Sequence, residues 1–129
     1  MLDIALRGFA PRALKLLFRK RLDRYEMRDL VDRVAIDEMI SPIPVMSGSF
    51  MFVRRKAIEA TGGFDPGFFL YFEDFDWSMR LNRVTRSAYV PKVKIVHHGG
   101  GAAKKGPRHV GYFVRSAARF FNKHGWKWL

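Results

Sequence analysis

The 129-residue sequence contains no cysteine, and no apolar run in it approaches the roughly 20 residues of a membrane-spanning helix. Without cysteine, a disulfide framework, thiolate metal sites and cysteine nucleophiles are excluded. The first residues also lack the basic-then-apolar layout of a secretory signal. These absences predict a cytoplasmic protein, with the inner face of the cell membrane as a further location.

Acidic residues are missing from the second part of the chain. Residues 1–76 hold 12 Lys or Arg and all 12 acids, whereas residues 77–129 hold the other 12 Lys or Arg and all four histidines. The net charge of +12 indicates an anionic partner, such as nucleotide phosphates, nucleic acid or a membrane surface. The asymmetry favours one region that uses carboxylates and another that holds an anion, although a solvated basic surface has the same composition.

Hydrophobic periodicity and chain breakers predict a mixed α/β chain. Helices are expected over 9–22, 54–60, 73–84 and 107–124. Extended structure is expected over 45–53 and, interrupted by a proline, over 87–98. The first helix is basic and amphipathic, which suits either an anionic membrane or packing on its own domain.

The last predicted helix has Pro107 at its first position and Gly125 after its end. Its expected core stripe consists of Val110, Phe113, Val114, Ala117 and Phe121. A basic stripe on the opposite side consists of Arg108, Tyr112, Arg115, Arg119 and Lys123. This basic stripe can neutralise a nucleotide diphosphate or an anionic lipid-linked acceptor, or it can be a solvated face.

The segment GGFDPGFFLYFEDFDWSMRL (62–81) places carboxylates among aromatic residues. Asp74 and Asp76 lie about 200° apart on a helix, so they cannot serve one site as a pair. Asp76 precedes Arg80 by four residues, which predicts an intrahelical ion pair. Asp74 has Ser78 at that spacing, and its carboxylate is either a general base or a capping group at the helix start.

Four pieces of the chain resemble, in order and spacing, the C-terminal half of family 2 glycosyltransferases, especially rhamnosyltransferase-like members. The pieces are SGSFMFVRRKAIEATGGFD, FFLYFEDFDWSMRL, AYVPKVKIVHHGGG and RSAARFFNKHG. The resemblance implies a GT-A fold and inverting transfer from a nucleotide-sugar donor to a hydroxyl of a cell-envelope saccharide or lipid-linked acceptor. Residues 1–40 are then a basic lead segment, and residues 41–129 are the acceptor and catalytic part.

The resemblance also implies roles for individual residues. Asp74 would be the general base, with Glu73 beside it on the acceptor side. His97 would enter the site as a diphosphate or metal contact, although His98 stays an alternative because adjacent strand residues face opposite sides. Substrate or diphosphate binding is assigned to Ser47, Gly48, Arg80, His97, Gly100, Arg115 and Lys123.

A family 2 enzyme further needs a nucleotide-binding half with an Asp-x-Asp motif that holds a divalent cation, Mg²⁺ or Mn²⁺. The 129 residues contain no such region, and Asp74-Phe75-Asp76 lies on the acceptor block. We therefore expect the donor half to be supplied in cis or in trans, and the chain to be inactive alone. The alternatives are a basic nucleic-acid-binding module and a peripheral membrane module without catalysis. Recognised nucleic-acid motifs are absent, so a nucleic-acid partner is not expected.

Overall fold

A computed structural model of the chain describes residues 38–98 and 106–126. These residues form three helices: α1 (Arg55–Thr61), α2 (Glu73–Val84) and α3 (Pro107–His124). All three were predicted from sequence to within one residue at each end. The predicted helix over 9–22 lies outside the described residues.

Of the extended structure expected from the sequence, the described residues form one isolated β-bridge. Ile40 and Tyr89 form an isolated antiparallel bridge, with N···O distances of 3.1 and 2.9 Å. The predicted strand over 45–53 is not formed, since this segment contains a turn at residues 48–49 and no ladder. A strand needs a neighbour for its backbone groups, and the described residues supply none along most of this segment. The α/β class therefore stays a prediction.

Helix α1 ends where the sequence predicts. Gly62 adopts a left-handed conformation, with φ at 74°, and its N–H donates to the carbonyl of Ile58 at 2.7 Å. Glycine adopts this conformation without the steric cost that a Cβ would add. The chain therefore leaves the helix at Gly62 and continues towards α2.

The chain enters α2 through two residues in the left-handed region. Tyr71 and Phe72 have φ values of 69° and 66°, a conformation that costs about 1–2 kcal/mol for each non-glycine residue. The buried ring of Phe72 packs against Phe113 and Phe120, with ring centroids 5.3 Å away in each case. Burial of this ring offsets the backbone cost and fixes the direction in which α2 begins.

The buried side of α3 differs from the predicted stripe. Phe113, Ser116, Ala117 and Phe120 are buried, whereas Val110 and Val114 are 42% and 59% exposed. The prediction for the two valines was wrong because apolar periodicity counts no serine as core. The Ser116 hydroxyl donates to the carbonyl of Leu70 at 2.7 Å, so it is satisfied inside the protein.

Candidate active site

One face of α2 holds the segment that precedes α1 by side-chain hydrogen bonds. The Asn82 amide donates to the carbonyls of Ile43 and Pro44 at 3.0 and 2.9 Å. One turn earlier, the Ser78 hydroxyl accepts the backbone N–H of Met46 at 2.9 Å. Residues four apart share a helix face, so these contacts lay segment 43–48 along α2. The sequence signal was the spacing of Asn82, Ser78 and Asp74, which we had not interpreted.

Asp74 is the third residue on this face of α2, and it contacts the end of segment 43–48. Its Oδ2 accepts the N–H of Gly48 at 2.9 Å, and its Oδ1 accepts the N–H of Phe75 at 2.9 Å. A Cβ at Gly48 would lie 3.3 Å from the Asp74 Cβ, closer than ordinary packing, so glycine permits the approach. The structure thus brings together three residues predicted for the site: Ser47, Gly48 and Asp74.

The surroundings of Asp74 are open and polar. Its side chain is partly exposed, and no cation contacts it among the described residues. The hydroxyls of Ser47 and Ser49 hydrogen-bond to each other at 2.9 Å on the exposed turn beside Gly48. This arrangement offers a carboxylate and two hydroxyls at one accessible place, which is what binding a hydroxyl-bearing ligand requires.

Glu73 is less accessible than its neighbour. Burial raises the pKa of the Glu73 carboxyl, and the charge of Asp74 raises it further. Its Oε2 is buried and has no hydrogen-bond partner among the described residues. Burial, followed by the charge of Glu73, also raises the pKa of Tyr71, whose hydroxyl bonds to the His109 ring at 3.1 Å.

Asp76 lies on the other side of α2 and is fully buried. Its carboxylate contacts Arg80 Nε at 2.9 Å, and Lys123 Nζ and His124 Nε2 at 2.8 Å each. Burial alone would raise the pKa of Asp76, but hydrogen bonds from Lys123, His124 and Arg80 outweigh it and lower that pKa. The predicted ion pair of Asp76 with Arg80 is confirmed, and the end of α3 joins it.

Arg80 and Lys123, which we assigned to substrate binding, already have internal partners. Arg80 also donates to the backbone carbonyls of Thr61 and Gly63. Lys123 bridges two carboxylates, with Nζ 2.8 Å from both Asp65 and Asp76. Their role in substrate binding stays a prediction, and their observed role is to join α3 and the loop after α1 to α2.

Asp65 is a member of this charged group that we had not singled out as a site residue. It accepts from Arg119 at 3.1 and 3.2 Å, from Lys123, and from the Gly67 N–H at 2.8 Å. Hydrogen bonds from Lys123 and then Gly67 hold the pKa of Asp65 well below its usual range. The local signal was the Asp-Pro-Gly turn, but its partners on α3 lie 54 and 58 residues away.

The remaining predicted residues are not brought to Asp74 by any contact in the described part of the chain. His97, His98 and Arg115 are exposed, and Gly100 lies outside the described residues. Among residues 38–98 and 106–126, no group of three or more His, Asp or Glu could hold a metal ion. The described residues therefore do not fit a complete divalent-cation site, and His97 offers one imidazole at most.

Comparison with known proteins identifies the family. Residues 17–100, more than half of the chain, match the family described as Glycosyl transferase family group 2. The chain belongs to this family. The match covers α1, α2 and segment 43–48, whose backbone bonds to Asp74 and Ser78. It ends before α3.

Two curated relatives are rhamnosyltransferases. The N-acetylglucosaminyl-diphospho-decaprenol L-rhamnosyltransferase of Mycobacterium tuberculosis is 36% identical over 89 residues, which cover 66% of this chain and 29% of that protein. Rhamnosyltransferase WbbL of Escherichia coli is 42% identical over 53 residues, or 40% of this chain and 20% of that protein. The chain is thus rhamnosyltransferase-like and spans less than a third of these relatives. No solved structure gives a significant match.

None of the three described helices has both the length and the apolar content needed to cross a lipid bilayer.

Proposed function

We propose that this chain carries the catalytic-base and acceptor side of an inverting glycosyltransferase. In this proposal Asp74 removes the proton from an acceptor hydroxyl, whose oxygen then bonds to the anomeric carbon of the donor sugar. The bond from that carbon to the nucleotide diphosphate breaks on the opposite face, and the diphosphate leaves with the electron pair. Glu73 lies beside the base on the acceptor side.

The observation that carries the proposal is the contrast of Asp74 with the other carboxylates of its segment. Asp65 and Asp76 are neutralised by cations, whereas within residues 38–98 and 106–126 Asp74 has only backbone N–H donors and is partly exposed. It also lies at the start of α2, where the helix dipole favours an ionised carboxylate. A carboxylate held in place but not paired is suited to accept a proton.

The proposed substrates are taken from the names of the relatives. We propose a rhamnosyl nucleotide as donor and a saccharide linked to a polyprenol through diphosphate as acceptor, as the name of the mycobacterial protein describes. Binding of the donor and of a divalent cation is assigned to residues outside those described, with His97 approaching the diphosphate. The described residues do not assemble a site for this cation.

The test is Asp74→Asn, with this chain and a nucleotide-binding half supplied in cis or in trans. Loss of a general base is expected to lower the transfer rate by about 10²–10⁴-fold, with donor affinity unchanged in calorimetry. Glu59→Gln on α1 is the matched control, since it removes an exposed carboxylate whose ion-pair partner in the described part of the chain is Arg55. A rate within about tenfold of the wild type would remove Asp74 from the base role.

A further inference from the structure

Helix α3 has an exposed apolar stripe that its core packing does not use. Val110 and Val114 are 42% and 59% exposed and lie four residues apart on one side of the helix, whereas Phe121 packs against the core. The buried stripe of the same helix is anchored by Phe113, Phe120 and the Ser116 hydrogen bond to Leu70. Because that anchoring fixes the rotation of α3, the valines are held facing outward.

A basic stripe lies farther round the helix, about 100–160° from these valines. Arg108 and Arg115 are exposed, lie seven residues apart on one face, and have no carboxylate partner among the described residues. Arg119 continues the stripe, although it already pairs with Asp65. No acid occurs anywhere on α3 or elsewhere in residues 77–129. The outer side of α3 is therefore amphipathic and uniformly positive.

We propose that this outer side of α3 binds the surface of an anionic phospholipid bilayer. Helices that lie in the membrane interface combine apolar and basic side chains, and the solvent-facing side of α3 has the two valines at one edge and the arginines at the other. Anionic headgroups attract basic side chains near the surface, while the valines enter the boundary with the acyl chains. The inference goes beyond the proposed transfer reaction. Binding to the bilayer would bring this chain to the surface where a lipid-linked acceptor lies.

Charge favours a lipid surface over a second copy of the chain. Two copies that docked through α3 would bring their arginine stripes together, and like charges in contact oppose association. An anionic bilayer complements the same stripe along its whole length. Self-association through Val110 and Val114 is accordingly an outcome that would overturn the proposal.

The experiment is sedimentation of the full chain with vesicles of phosphatidylcholine and phosphatidylglycerol in a 7:3 ratio (about 30% anionic lipid), without donor or acceptor. Binding is expected at low salt, with at least about tenfold weaker partitioning to pure phosphatidylcholine. Near 0.5 M salt the electrostatic part is expected to be lost, because the screening length falls to about 4 Å. Since no sugar transfer is measured, failure here would leave the role of Asp74 untouched.

Three variants separate α3 from the other basic segments. Val110→Ser with Val114→Ser, and Arg108→Gln with Arg115→Gln, are each expected to weaken partitioning about tenfold or more. The control pair Ile58→Ser and Lys56→Gln removes similar exposed groups from α1 and should change binding less than about twofold. Circular dichroism and size-exclusion chromatography check that the variants fold and remain in the same oligomeric state.

Three results would overturn the proposal. The first is absence of binding by the wild-type chain. The second is binding that both α3 variants retain, since the bilayer would then be held by another part of the chain. The third is a wild-type oligomer that dissociates when the two valines are replaced, which would assign the apolar stripe to a protein contact.

Discussion

Two carboxylates on one helix, two residues apart, have opposite surroundings. Asp74 is partly exposed and accepts two backbone N–H groups, whereas Asp76 is fully buried and contacts three cationic or imidazole side chains. The helical period produces this contrast, because a step of two residues rotates a side chain by about 200°. One acidic segment can therefore supply both an accessible carboxylate and a structural anchor.

The comparison also shows how the side of α2 that carries Asp74 is held in position. Asp76 binds the end of α3. It also binds Arg80, which donates to the Thr61 and Gly63 carbonyls at the end of α1. Ser78 and Asn82 bind the loop that carries Gly48 to Asp74. The buried carboxylate thus holds α2 in place, and α2 holds the partly exposed carboxylate against its loop.

The largest effect that this comparison predicts is on the free energy of unfolding. Asp76→Asn leaves two cations and an imidazole without their common anion, and removal of one partner from a buried ion group costs about 3 kcal/mol. Asp74→Asn is the matched change, and it is expected to cost less than about 1 kcal/mol because the amide oxygen still accepts from Gly48. Chemical denaturation followed by circular dichroism measures both, and equal losses would contradict the contrast.

Acid should remove the difference between wild type and Asp76→Asn. The hydrogen bonds to Asp76 lower its pKa in the folded state, so its stabilisation is present above the unfolded pKa of about 3.9. That stabilisation is lost as the pH falls through the lower, folded value. Unfolding free energies at decreasing pH are expected to converge for the two proteins below about pH 4. A difference that stays constant down to acid unfolding would show that Asp76 acts by packing.

What could be predicted from sequence here was local. Gly62, Pro107 and Gly125 mark helix ends by their own backbone preferences, and the end of α1 and both ends of α3 followed from them. The position of Asp74 on a face separate from Asp76 followed from periodicity alone.

The rest depends on contacts between distant parts of the chain. Asp65 meets Arg119 and Lys123 across more than 50 residues, and no spacing rule specifies such a pair. The exposure of the α3 valines could not be predicted either, because Ser116 becomes a core residue only when the Leu70 carbonyl is beside it. The same limit applies to the strand over 45–53, whose formation depends on a pairing partner.

The smallest predicted effect concerns Glu73, the neighbour of Asp74. In the described part of the chain it is neither as accessible as Asp74 nor paired with cations as Asp76 is. Burial and the charge of Asp74 raise its pKa in the folded state, so its ionised form destabilises the fold once the pH exceeds that value. Glu73→Gln is therefore expected to raise the unfolding free energy at pH 7 by less than about 1 kcal/mol. The gain should be lost as the pH falls below the unfolded pKa of about 4.3, because the wild-type carboxyl then becomes protonated in both states. Glu59→Gln, which alters an exposed pair with Arg55, should change stability by at most about 0.5 kcal/mol at neutral pH. If Glu73→Gln destabilises the protein at pH 7, the ionised Glu73 carboxylate has a partner that its buried Oε2 does not reveal.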